Sequence, residues 1–409
     1  MPTETATIQS LKAVDAWIDV INANINGGVR TAYKASRLKF GGSDATVGQS
    51  GTLRTTPLQF PEPSLVAVDT VLDMSQGAIV GSTEDTHAAI SGRGYFMVID
   101  PQGKVLLTRD GEFHRDDLGH LVNSAGLVAV DRTVAINLDP TRYQANVPAL
   151  TVADIGPPSP WYPGTGYGGQ LFFPYVAGTP YDEAPLGYTN VGIQIRRTFF
   201  LNSADYATPG PVNLTWSSDD GAHLVVNGTY IGLATFAAQT VDIKPYLRPG
   251  ANVVAFKAFE GPLFESVNVN CTIGSVVLSS AQPALWASRL TAGFPDSAVP
   301  TAAEIQQMIY TDPADLMVAN GPSTGSDLQF TRYGSTVWQW NNQPTTPVPI
   351  DMPGRNGTGN LLTKSLESSN ASMTQSVPEL SLAQKLFSAL TKVLQISQTN
   401  TDAVLNLVR

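Results

Sequence analysis

A chain of 409 residues has room for two or three domains, each with its own core. A formal net charge of −10 argues against a nucleic-acid reader, because phosphate binding takes clustered Lys and Arg. The single cysteine, Cys271, excludes an intrachain disulfide and any multi-cysteine metal centre, and reads as a small buried residue of a strand. No apolar run approaches the roughly 20 residues of a membrane span. Met1-Pro2-Thr3-Glu4-Thr5-Ala6 has neither the basic nor the apolar region of a cleaved signal, so a cytosolic chain is expected unless another machine exports it.

The two ends differ from everything between them. Leu11, Val14, Ile18, Ile21 and Ile25 alternate in steps of three and four, with Trp17 alongside. That is the stripe of a helix packing along another helix, and Asn26-Gly27-Gly28 ends it. Residues 1–40 form this terminal segment, and 41–65, rich in Gly, Ser, Thr and Pro, read as a linker or arm.

From residue 66 the apolar residues alternate between turn signals, among them Asp100-Pro101-Gln102-Gly103 and Asp110-Gly111, which predicts β-hairpins. Tyr95-Phe96-Met97-Val98-Ile99 is expected to be the most buried strand. The β-domain is predicted to be discontinuous, over 66–154 and 282–370, with an insert at 155–281 that opens on a Pro-, Gly- and Tyr-rich boundary. Residues 371–409 end the chain as a helix with no Pro after 379. Its stripe is Leu382, Leu386, Ala389, Val393, Ile396, Asn400, Ala403 and Leu407. The expected fold is mainly β with long terminal helices that pair as a coiled coil, and a β-rich middle interrupted by a β-sandwich.

No motif assembles a catalytic, cofactor or metal site, so no enzyme and no cofactor are expected. Residues 164–169 fit G-x-G-x-x-G but sit in a linker, without the strand before and helix after that a dinucleotide needs. Residues 321–325 fit G-x-S-x-G without the strand–turn–helix context of a nucleophile elbow. His114, Asp116, Asp117 and His120 could ligate a metal, yet fall at the polar tip of a hairpin between Phe113 and Leu121. Asp219 and Asp220 are adjacent in a turn and cannot straddle a scissile bond.

Four runs resemble, in order, the bacterial flagellar rod and hook proteins. Ile18-Asp19-Val20-Ile21-Asn22-Ala23-Asn24-Ile25-Asn26 with Ala32-Tyr33-Lys34-Ala35-Ser36-Arg37 is similar to the family's first helix and its Asn-rich, Gly-aromatic-Lys segment. Gln76-Gly77-Ala78-Ile79 with Ser82-Thr83 is the second. The most specific is Ala89-Ile90-Ser91-Gly92-Arg93-Gly94-Tyr95-Phe96-Met97-Val98, followed by Leu107-Thr108-Arg109-Asp110-Gly111-Glu112-Phe113 and Leu118-Gly119-His120-Leu121-Val122. Leu366-Glu367-Ser368-Ser369-Asn370 precedes the last helix. Residues 214–228 and 241–256, with Asn227-Gly228 and Asn252 after Gly250, resemble galactose-binding-like jelly-roll modules.

The first resemblance implies a self-assembling helical tube whose terminal helices line the inner core. Leu11, Val14, Trp17, Ile18, Ile21, Ile25, Leu382, Leu386, Val393, Ile396 and Leu407 are then the assembly interface. It implies partners in copies of the chain, in neighbouring rod or hook proteins and in a cap protein, and export to a periplasmic rod or extracellular hook without a cleaved signal. Ala32 stands where the family usually has Gly, and such departures leave rod, hook or a divergent filament open. The alternative is a carbohydrate-binding surface protein oligomerised by its helices, with Trp161, Trp216 and Tyr230 touching glycan.

Overall fold

The computed structural model describes residues 4–42, 46–48, 58–60, 64–148, 161–167, 170–172, 191–259, 266–292, 298–322, 327–342 and 344–407. Most of the expected linker, the Pro-rich run before Trp161 and parts of both glycine motifs lie outside them. The chain divides into two compact units, one of Met1–Ala78, Pro322–Gln329 and Glu367–Arg409, the other of Ile79–Gly321 and Phe330–Leu366.

The first unit is built on two helices, Glu4–Gly27 and Met373–Leu407. Val14 and Ile21 of the predicted stripe are buried, Trp17, Ile18 and Ile25 pack against them, and Leu11 is half-buried. From the other helix Ala383 completes the cluster, with Leu380 and Leu390 at its edge. Gly28, just past the first helix, lies beside Ala371, just before the last, so the two run antiparallel. Helices of 24 and 35 residues measure about 36 and about 52 Å at 1.5 Å per residue, so the last helix outruns the first by some three turns. It starts at Met373, earlier than its Pro-free run suggests, because Pro378 removes a single helical bond near the helix start.

The residues of the last helix that meet the first are not those of the predicted stripe. Leu382, Leu386, Val393 and Ile396 are 58%, 37%, 41% and 58% exposed, and the side chain of Leu407 lies outside the described residues. Residues 380, 383, 387, 390 and 394 form a second ladder of threes and fours around the same helix, of which Leu380, Ala383 and Leu390 pack on the first helix while Phe387 is 37% exposed. Spacing alone admits either ladder; the small Ala383, fully buried, lets the backbones approach and selects this one. Beside the helices Ser36–Gly42 pairs antiparallel with Leu65–Leu72, and Trp17 meets Phe40 edge-on at 5.5 Å.

The second unit contains a ten-stranded sheet over a core that includes Ile90, Phe96, Val98, Leu106, Phe113, Leu121 and Val337. Tyr95–Ile99 is buried at every residue and pairs with Val105–Thr108, Val128–Ala129 and Val318–Ala319. After the insert the chain returns: Gly334–Trp340 pairs with Val105–Thr108, and Val348–Asp351 runs parallel to Tyr143–Asn146.

The insert is a pair of antiparallel sheets enclosing one apolar core, with Ile195, Leu224 and Phe256 from one sheet facing Trp216, Val269 and Cys271 from the other. Its first sheet takes in Ala287–Ala292, paired with Val191–Leu201, and so runs past the expected boundary at 281. Ser288 and Arg289 break the apolar pattern there and hide the strand from sequence reading. Helix Ala302–Ile309, opened by a capping box between Thr301 and Glu304, lays Met308 and Ile309 on Val225, Val253 and Ala255. Both faces of Gly221–Val226 are thereby covered, and all six of its residues are buried.

Asn227 and Gly228, at φ +48° and +79°, make the tight turn of the hairpin Gly221–Val226/Thr229–Ala234. Asn227 also clasps the neighbouring strand: its Oδ1 accepts from Val253 N at 2.8 Å, and its Nδ2 donates to Asn252 Oδ1 at 2.8 Å and Tyr246 O at 2.7 Å. Asn227→Ala strands the Val253 amide and loses the left-handed preference. A loss of about 2–3 kcal/mol is expected, read as a lower urea midpoint of the β signal.

Candidate assembly interface

The base of the helix pair is held by polar groups that the family-like runs supply. The Lys34 ammonium, 1% exposed, donates to Glu367 Oε1 at 2.6 Å and to Ser75 O at 2.7 Å. The same Glu367 oxygen accepts from Gly77 N at 3.0 Å, and the Glu367 carbonyl accepts from Ala32 N. Asn370 accepts from Ala35 N at 2.7 Å and donates to Asp73 O and Ser75 O. Asn24, from the first helix, clasps both the amide and the carbonyl of Ser36. Three stretches distant in sequence, 32–36, 73–78 and 367–370, are thus tied where the last helix begins. Ala32 sits here at φ +54°, the left-handed region that favours glycine, and its methyl is fully buried.

In the second unit the most specific run is also structural. Arg109 donates to the carbonyls of Ile90, Gly92 and Gly94 at 3.0, 3.0 and 2.7 Å. Gly92 and Gly94 take φ of +113° and +118° to turn those carbonyls inward. A side chain at Gly111 would lie 1.6 Å from Ala88 O. Phe96 and Phe113 meet edge-on at 5.4 Å beneath the loop. These residues hold a backbone shape and offer no acid–base pair to a substrate.

One polar cluster escaped sequence reading, although Arg196-Arg197 in the apolar strand Val191–Leu201 was a signal. Arg196, 1% exposed, donates to Asp131 Oδ2 at 2.8 Å and to Tyr310 O at 2.9 Å, and stacks over Trp161 at 4.3 Å. Asp131 also accepts from Val134 N, Thr133 and Thr311, which joins the sheet domain, the insert and the strap after helix Ala302–Ile309. Nearby, Asp315 lies 3.2 Å from Arg132, and burial pushes its carboxyl up to about 6 despite that partner.

The folded chain therefore holds a proton on Asp315 between about pH 4 and 6 that the unfolded chain releases at about 4. Stability from this group is expected to fall as pH rises through that window, by about 2–3 kcal/mol. Urea midpoints at pH 4.5 and 6.5 read the slope, and Asp315→Asn should flatten it.

The residues proposed for glycan lie elsewhere than on a sugar platform. Trp161 is 1% exposed, with Arg196 on its ring and Arg289 at 4.5 Å. Trp216 is buried and its Nε1 donates to Ala222 O. Neither has a ring face open to a sugar, and Tyr230 is half-buried beside His223. Asp116 is a turn residue: burial works to raise its carboxyl, but hydrogen bonds from His120 and Arg248 hold it well below the usual carboxylate range. Among the described residues no group of three or more His, Cys, Asp or Glu is placed to hold a metal. Cys271 is buried, and burial raises its thiol to about 12.

The predicted apolar stripe of the last helix stays exposed. The family model of the flagellar hook protein FlgE/F/G D1 domain matches residues 89–156, the stretch that contains the Arg109 loop. The flagellar hook protein FlgE of Brucella suis biovar 1 is 23% identical over 98% of this chain and 98% of its own length. The flagellar basal-body rod protein FlgG of Buchnera aphidicola subsp. Schizaphis graminum is 29% identical over 34% of this chain and 54% of its own. A GH78 family rhamnosidase of Bacillus sp. GL1 is 17% identical over 46% of this chain and 20% of its own, at a TM-score of 0.24, which carries no argument. Over nearly its whole length the chain is thus similar to flagellar hook proteins, and over part of it to a flagellar rod protein.

Proposed function

We propose that the chain is a subunit that polymerises into a helical tube of the flagellar axial structure, its terminal helices in the inner core and its β-rich unit in the outer layers. The observation that carries this reading is that the last helix has apolar residues on two faces: Leu380, Ala383 and Leu390 pack within the chain, while Leu382, Leu386, Val393 and Ile396 stay exposed and are left for a neighbour. A contact that joins unlike surfaces of successive copies builds an open filament, and coiled-coil pairing of the helices across copies supplies one. The partners are copies of the chain, neighbouring rod or hook proteins and a cap protein. The insert is read as an outward-facing jelly-roll.

Deleting residues 380–409 tests the reading. The truncated chain is expected to keep the β signal in circular dichroism and to form no filaments in electron microscopy. Filaments equal to those of the full chain would refute it.

A further inference from the structure

A cleft of about 700 Å³ opens within the second unit, between the sheet domain and the insert, in the size range of small-ligand sites. Arg197 forms part of its wall and is 7% exposed. Nε donates to Asn137 Oδ1 at 3.2 Å, Nη1 donates to Val277 O at 2.8 Å, and the Trp286 ring centre lies 5.9 Å away. These partners fix the guanidinium without neutralising it. Among the described residues no carboxylate lies within 4 Å of Arg197, and Nη2 has no acceptor. The preceding residue makes the contrast, since Arg196 is bound to Asp131. Burial lowers the Arg197 pKa to about 10, with no nearby acid opposing it.

A buried cation without a counter-charge is costly unless something supplies one. The other charged residues of the lining carry an excess of the same sign. Lys104 and Arg142 are exposed parts of the wall, and Asp139, 3.8 Å from Arg142, is the one acid facing the three cations among the lining residues. On a chain of net charge −10 this is a local reversal. Gln282 and the amide nitrogen of Gln102 add polar groups around the opening, while Asn137 is bound to Arg197 and Thr133 O and Ser275 donates to Asp205.

We propose that this cleft binds a small hydroxylated carboxylate, the carboxylate on Nη2 of Arg197 and the hydroxyls on the amides of Gln102 and Gln282. The site is independent of the assembly stripe, and its ligand bridges the sheet domain and the insert.

Titration calorimetry of the full chain with D-galacturonate and D-galactose tests it. Saturable binding of galacturonate in the millimolar range is expected, at least about tenfold tighter than galactose and weakened by salt. Arg197→Gln should abolish it, with folding checked by circular dichroism. The exposed Arg142→Gln should weaken it several-fold and serves as the readout if Arg197→Gln does not fold. No saturable binding, equal binding of galactose, or binding unchanged in these variants would overturn the proposal. So would a galacturonate-blind chain whose filaments weaken in Arg197→Gln, which would give the cleft to a carboxylate of a neighbouring copy.

Discussion

The double substitution Leu386→Asp and Ile396→Asp is expected to abolish filament formation while leaving the monomer folded. Both side chains are on the open ladder of the last helix, 37% and 58% exposed. Within one chain Ile396 has little apolar area at stake and Leu386 more, so the unfolding free energy should fall by no more than about 1–2 kcal/mol. In a filament each side chain is expected to be covered by a neighbour, a burial of about 1.5–3 kcal/mol, and an aspartate there adds the cost of desolvating a charge. At 1.4 kcal/mol per tenfold, the critical concentration should rise by at least about a hundredfold. Sedimentation of the concentrated protein reads this directly. Ala383→Asp, on the ladder already buried against the first helix, should instead lower the stability of the monomer itself. The contrast between two faces of one helix separates assembly from folding.

Glu367→Ala should be the most damaging single change in the first unit. Its carboxylate and the Lys34 ammonium are 0% and 1% exposed and 2.6 Å apart. Removing one partner leaves a buried charge alone and strands the Gly77 amide, a loss of about 3–5 kcal/mol. Lys34→Met combined with Glu367→Leu removes both charges and should recover most of that loss. Urea unfolding followed by the helical signal measures both. If the double variant were no more stable than Glu367→Ala, the pair would owe its importance to something other than an uncompensated charge.

The sequence was most legible where a single pattern had a single meaning. The first helix carries one apolar ladder, and Val14, Trp17, Ile18, Ile21 and Ile25 all belong to the packed cluster. The last helix carries two ladders, and no spacing rule reveals which one meets its partner; that depends on how closely the backbones approach at Ala383. Tyr95–Ile99 was legible because every residue in it is apolar and buried. The strand at Ala287–Ala292 was not, because the polar Ser288 and Arg289 interrupt its apolar pattern although both lie inside the fold, Arg289 bound to Gln194 Oε1 at 2.8 Å.

The family-like runs pointed to the right scaffold, but their chemistry emerged only in three dimensions. Glu367 and Asn370 could have been surface residues of a loop; they bind Lys34, Gly77 and Ala35, more than 280 positions away. Trp161 and Trp216 illustrate the opposite error, since aromatic residues suited to stacking on sugars are as readily used inside.

The measurement that bears most directly on the central claim is a helical reconstruction by electron microscopy of filaments grown from the full-length chain. Leu382, Leu386, Val393 and Ile396 are expected to be packed against a helix of an adjacent subunit near the filament axis. Filaments in which that stripe stays open to water, with subunits joined only through their β-rich units, would contradict it.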